Sequence, residues 1–101
     1  MSFSPKDPST EEYFDFDYAG DRRMAAGETI LSASISISVV SGRDPNANSM
    51  LSGSVVISGR LVRQLVVDGV VPTKYHLKCL VTTSNGQILD SCGDFEVQEC
   101  N

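Results

Sequence analysis

The chain is predicted to be all-β, folded as a two-sheet antiparallel sandwich, and three observations lead there. Apolar and polar residues alternate with a period of two through Tyr13 to Tyr18, Thr29 to Val40 and Thr73 to Ser84. Turn-forming pairs, Ser58-Gly59, Asp68-Gly69 and Asn85-Gly86, fall between the apolar runs. Ser, Val and Gly are abundant while Trp is absent, a composition that points away from helices. With 101 residues the chain has room for one domain and one core, without need of a metal or a disulfide to sustain it.

The elements follow in order. Residues 1–12 carry Pro5, Pro8, serine and charge but no periodic apolar positions, which predicts an extended N-terminal arm ahead of a domain spanning residues 13–101. In the first strand Phe14, Phe16 and Tyr18 share one face and Tyr13, Asp15 and Asp17 the other. Asp21 to Ala26 reads as one helical turn, with Asp21 as N-cap and Gly27 as its stop. The next strand turns Leu31, Ala33, Ile35, Ile37 and Val39 inward and Ser32, Ser34, Ser36 and Ser38 outward; a helix would scatter the same residues around its circumference. A loop of Gly, Pro, Asp and Asn over Ser41 to Ser49 leads to short strands at Ser54 to Ile57 and Leu61 to Val67. Along Thr73 to Ser84 the inward residues are Tyr75, Leu77, Cys79 and Val81, with His76, Lys78 and Thr82 outward. Asn85-Gly86 is a strong hairpin signal that returns Gln87 to Leu89 beside that strand. A last strand, Asp94 to Gln98, turns Phe95 and Val97 inward.

Six or seven short strands at this spacing suit an immunoglobulin-like sandwich, and Tyr75 adds to that reading. It stands at the start of a strand just after the turn Val71-Pro72, where such sandwiches use a tyrosine hydroxyl to tie a corner. Its expected role is structural.

Charge and motifs exclude several kinds of chemistry. The net charge of −5 removes the counterion-release term behind most nucleic-acid binding, so no nucleic-acid partner is expected. Acidity gathers at the start, in Asp7, Glu11, Glu12, Asp15, Asp17 and Asp21, a surface that suits either a basic partner or solvent. No run approaches the roughly 18 apolar residues needed to span a bilayer, and the first residues lack the basic start and apolar run of a leader, so no membrane partner is expected either. Cys79, Cys92 and Cys100 are odd in number and lack metal-ligand spacing, which makes reduced, structural cysteines the expectation. The lone histidine, His76, faces outward and away from Cys79, because residues three apart in a strand point to opposite faces; the pair cannot serve as a catalytic dyad. Asp15 and Asp17 share a face but have no partner group for acid-base work, so salt bridges or a charged edge are the simpler reading. Asp44-Pro45-Asn46-Ala47-Asn48 imitates the opening of a calcium loop, yet the sixth position is Ser49 and the twelfth Val55 where Gly and Glu are needed. No catalytic residue, cofactor or metal ligand is assigned.

Three blocks of sequence stand out together: Lys6-Asp7-Pro8 followed by Phe14-Asp15-Phe16-Asp17-Tyr18, then Ala26-Gly27-Glu28-Thr29-Ile30 leading to Ser32, then Tyr75-His76-Leu77 through Val81-Thr82-Thr83-Ser84-Asn85-Gly86-Gln87. They resemble the small fiber-tail adaptor proteins of tailed bacteriophages. The family often has Trp near positions 18 and 35, where this chain has Tyr18 and Ile35. The resemblance implies an immunoglobulin-like virion component that links tail or connector subunits to fibers through protein contacts, in a symmetric multi-copy assembly formed in the host bacterial cytoplasm. Candidate interface residues are Lys6, Asp7 and Pro8 on the arm and Ser32, Ser34, Ser36 and Ser38 on the small-residue face. The alternative is a capsid decoration or host-surface recognition module that binds through loops at Ser41 to Ser52 and Asp90 to Gly93, although these lack the aromatic residues of a sugar site.

Overall fold

The computed structural model describes residues 3–99. Six strands carry the fold: β1 (Glu12–Asp17), β2 (Ile30–Ser41), β3 (Leu51–Ser58), β4 (Leu61–Val66), β5 (Thr73–Thr83) and β6 (Ile88–Val97). A single 3-10 turn, Ala47–Met50, precedes β3. The strands form two antiparallel sheets, one in the order β1-β4-β3 and the other in the order β2-β5-β6.

Alternation explains how the sheets share a core. Phe14 and Phe16 from β1, Val62 and Val66 from β4, and Tyr75, Leu77, Cys79 and Val81 from β5 are all buried, together with Leu89, Phe95 and Val97 from β6. Burying a side chain of this size contributes about 1.5–3 kcal/mol, so β5, buried at every second residue, is the central strand energetically as well as by position. Phe14 lies 4.7 Å from Phe95 between ring centres, and Phe95 stacks on Tyr75 at 5.3 Å, which joins the sheets through one aromatic column. Met24 and Met50, from the connections, are buried in the same cluster.

Several expected details change. Leu31 is not inward: the β2–β5 register shifts between Ile30 and Ser32, so Ile30 takes the buried place and Leu31 is left 65% exposed. A bulge adds one residue to one strand, and the alternation read from Leu31 is therefore one residue out at this end. Ala33, Ile35 and Val39 are half-buried, since β2 is an edge strand. Asp21 to Ala26 forms successive turns instead of a helical turn: Asp21 accepts from the Arg23 amide at 2.9 Å, and the Met24 amide donates to the Asp21 carbonyl at 3.2 Å. That is a short side-chain-closed turn, which competes with helix wherever aspartate can reach its own backbone.

β3 begins at Leu51, earlier than its pattern suggests, because a bulge between Ser52 and Val56 interrupts the alternation. Gly53 sits in that bulge at φ +71°, and the amide of buried Gln64 donates to the Ser52 carbonyl at 3.0 Å. The segment Asp90 to Gly93, expected as a loop, lies inside a continuous β6. Gly93 pairs with Leu77 and is buried there, inside the strand and not at a turn. The hairpin after β5 closes as the sequence indicates, with Gly86 at φ +83° and the Thr83 amide donating to Gln87 at 2.9 Å.

Candidate interaction surfaces

The outer face of β1-β4-β3 follows from the odd positions of β1. Tyr13 lies opposite Leu65, Asp15 opposite Arg63 and Asp17 opposite Leu61, while Val56 of β3 pairs with Arg63 from the other side. Arg63 donates to the Asp15 carboxylate at 2.8 Å, and its guanidinium lies 5.3 Å from the centre of the Tyr13 ring. Asp15 raises the Arg63 pKa further above its ordinary value, so the group stays charged. Asp17 accepts from the Ala19 amide at 2.8 Å. Tyr13 is 57% exposed and Val56 48%, so a tyrosine, an arginine and an apolar contact lie together on open surface. Tyrosine and arginine are the residue types most often found to anchor protein interfaces.

The outer face of β2-β5-β6 is built in rows across the sheet. Ser32, Thr82 and Ile88 form one row, Ser34, Leu80 and Asp90 the next, then Ser36, Lys78 and Cys92, then Ser38, His76 and Asp94. All four serines are exposed. Leu80 and Ile88 give one end of this face an apolar character, and Ile88 is 72% exposed. At the other end His76 Nδ1 lies 2.5 Å from Asp94 Oδ1. Cys79 lies on the opposite, buried face, where burial raises its thiol pKa and disfavours the thiolate.

The first described residues lie along the domain. The Phe3 amide donates to Asp94 at 2.8 Å, the Lys6 amide to Glu96 at 2.9 Å, and the Gln98 amide to Lys6 at 2.8 Å, with a parallel bridge between Lys6 and Val97. Phe3 packs edge-on against Phe14 and Phe16, at 5.0 and 5.6 Å between ring centres. The Lys6 side chain is fully buried and its ammonium donates to the Asp68 carbonyl at 2.7 Å and the Asp7 carbonyl at 2.9 Å. Burial lowers the Lys6 pKa, with Glu12 and Asp68 opposing the shift. Asp7 accepts from the Ser9 amide at 2.8 Å, closing a turn around half-buried Pro8.

The family comparison fits this geometry. A match to the family described as podophage GP4 fiber-tail adaptor protein gp77 runs over residues 6–94. The chain belongs to that family. Among curated proteins, none matches it. The family region takes in Lys6, five whole strands and most of β6, and the family is described by an adaptor role and not by a reaction.

Within the adaptor fold, two of the blocks that resemble the family meet at a residue the sequence reading passed over. Glu28 is buried; its carboxylate accepts from Thr83 Oγ1, from the Ala25 amide at 2.8 Å and from Gln87 Nε2 at 3.1 Å. Arg60 adds bonds to the carbonyls of Glu28 at 3.0 Å and Ala25 at 2.7 Å. The Thr83 hydroxyl, and then the Ala25 amide, hold the Glu28 pKa below its ordinary value although burial opposes them. A charged residue within an otherwise turn-like Gly-Glu-Thr segment was the available signal.

Tyr75, the expected corner residue, is fully buried, and its hydroxyl accepts from the Val70 amide at 3.0 Å and donates to Asp44 at 2.8 Å. Asp44 also accepts from the Asn46 amide at 2.9 Å, so the carboxylate that opens the calcium-like loop is engaged within the fold. Among the described residues no cluster of His, Cys, Asp and Glu could hold a metal ion, and no helix is long and apolar enough to cross a membrane.

Proposed function

We propose that this chain is a bacteriophage virion structural protein, an adaptor in the neck or tail region that links tail or connector components to fibers by protein contacts. The family match over residues 6–94 carries the reading. In this proposal the chain assembles in the host cytoplasm and resides in the particle as a symmetric set of copies.

The geometry supports an adaptor because it offers two unlike outer faces. One carries Tyr13, Arg63 and Val56; the other carries Ser32, Ser34, Ser36 and Ser38 beside Leu80 and Ile88. A linker needs two separate contacts: the first face offers an aromatic and charged patch, the second small residues beside an apolar one. The buried Lys6 acts from beneath, fixing Asp7 and Pro8 at the rim; in the same proposal residues 1–12 are the N-terminal arm of a domain of residues 13–101, and its described residues Phe3 and Lys6 bond to β6. The immunoglobulin-like assignment belongs to the same proposal. Naming the strands B to G in order places B-E-D in one sheet and C-F-G in the other, the division that immunoglobulin sandwiches use. Tyr75 then stands at the start of F with its hydroxyl on a backbone amide upstream.

Mass spectrometry of purified virions should find this polypeptide, and density for it should lie between tail and fiber in a particle reconstruction. Replacing Tyr13 and Arg63 together by Ala should abolish incorporation while leaving the melting temperature of the isolated chain within a few degrees of the parent. Particles that contain fibers but lack the chain would refute the adaptor role.

A further inference from the structure

The two sheets have four edges, and three of them carry features that discourage pairing. β1 is six residues long and half of them, Glu12, Asp15 and Asp17, are acidic. β3 is broken by the bulge between Ser52 and Val56. β6 is covered over Asp94 to Val97 by residues 3–6 and carries Asp90 on its open half. Charge, bulges and cover are the standard means by which proteins protect a sheet edge.

β2 carries neither charge nor cover along Ser32 to Ser38, and its two register shifts, at Ile30/Ser32 and Val39/Ser41, lie outside that regular stretch. It is the longest strand, twelve residues from Ile30 to Ser41, with no charged residue and no proline, and no strand lies beyond it among the described residues. The Ile30 amide donates to the Gly59 carbonyl at 3.3 Å, but from Ser32 to Ser38 the backbone groups on that side have no hydrogen bond among the described residues, and an extended chain would satisfy them in series.

The pattern of β2 also states which chain fits. Between Ser32 and Ser38, serine and apolar residues alternate, and the alternation reads the same in both directions. Side chains opposite each other in an antiparallel pair lie on one face. A two-fold axis at Ile35 therefore sets Ser34 against Ser36, Ser32 against Ser38, and Ala33 against Ile37, all with matching faces. The two copies, each of net charge −5, meet along a strip without charge, so the repulsion that would oppose pairing at β1 is absent there.

We propose that β2 pairs antiparallel with β2 of a second copy of this chain, joining two three-stranded sheets into one of six strands. The contact is isologous, with each serine hydroxyl facing another across the axis. The proposal rests on the multi-copy part of the function proposed above and on no other part of it.

The test is the solution mass of the full chain by light scattering over a concentration series. The parent should reach twice the 10.9 kDa of one chain as concentration rises, and amide exchange along β2 should slow with it. Ser34→Glu with Ser36→Glu sets like charges opposite each other across the axis. Both positions are exposed, so the variant should keep the parent circular dichroism and remain a monomer. Ser34→Lys with Ser36→Lys should do the same alone, and mixing the two variants should restore the doubled mass. A parent that stays monomeric to millimolar concentration overturns the proposal, as does a Glu variant that remains dimeric. A monomeric parent found in virions would overturn the pairing and keep the adaptor, and a dimeric chain missing from virions would do the reverse. If the Glu variant instead loses only its binding to isolated tails or fibers, the edge takes a strand from another protein and self-pairing is wrong.

Discussion

Two polar side chains with no exposed surface hold connections of this domain. Tyr75 ties the connection before β5 to the loop after β2, through Val70 and Asp44, and burial together with Asp44 raises its pKa so that the hydroxyl remains a donor. Tyr75→Phe keeps the stack on Phe95 but leaves the Val70 amide without its acceptor. It should cost about 1–3 kcal/mol in urea unfolding, the usual penalty for a stranded buried donor. Asp44→Asn retains an acceptor for the hydroxyl and should cost distinctly less. Lys6 plays the corresponding part for the N-terminal segment, because its ammonium reaches the carbonyls of Asp7 and Asp68. Lys6→Met fills the same space yet strands both carbonyls, and a loss of about 1–3 kcal/mol is expected by the same measurement. A Lys6→Met variant as stable as the parent would show that water replaces the ammonium.

At the scale of elements, the alternating strands were legible in the sequence wherever they ran without a bulge. β1, β4, β5 and the core half of β2 stand where period-two patterning puts them, since a half-buried strand must write its burial into every second residue. Bulges were not legible: the extra residue at Leu31 and the break after Ser52 follow from pairing with β5 and β4, which no local pattern encodes. Nor was the course of residues 3–6, whose backbone bonds are with Asp94, Glu96 and Gln98 about 90 residues away. Of the candidate contact residues, the serines of β2 were readable from periodicity, whereas the Tyr13–Arg63 pair needed the register of β1 on β4. The N-terminal segment gives this scale its prediction. Removing residues 1–9 exposes Phe14 and Phe16 and deletes the bonds to β6, so the truncated chain should lose about 3 kcal/mol or more of stability. Thermal unfolding checks it, and a melting temperature within a degree of the parent would mean that the segment lies on the domain without holding it.

For the whole molecule the decisive feature is that its two ends are closed by different chemistry. One end relies on the buried hydroxyl of Tyr75, which donates to Asp44, and on the buried ammonium of Lys6; the other relies on Glu28, Asp21 and Asp90, carboxylates whose pKa values their partners lower. Glu28 joins the β1–β2 connection to the β5–β6 hairpin through Thr83 and Gln87, and Arg60 brings in the β3–β4 turn. Arg23 bridges Asp21 and Asp90 nearby, at 2.7 and 2.9 Å. Bonds from Arg23 lower the Asp21 pKa from 3.8 to about 2. The hydroxyl of Thr83 leads the causes that lower Glu28 from 4.5. A carboxylate whose pKa is lower in the folded state binds fewer protons there than when unfolded. Its stabilisation is complete above the unfolded value and is lost as pH falls through the folded one. The melting temperature should therefore hold near neutrality, begin to fall below about pH 4.5 and continue falling toward about pH 2. Glu28→Gln, which cannot ionise, should lower the melting temperature at neutral pH by several degrees and flatten its decline in acid. Amide exchange should locate the early loss at the hairpin from Ser84 to Gln87, with the Tyr75 end still protected. A parent melting temperature that stays constant from pH 5 to pH 2 would show that this carboxylate network does not bind the two sheets together at that end.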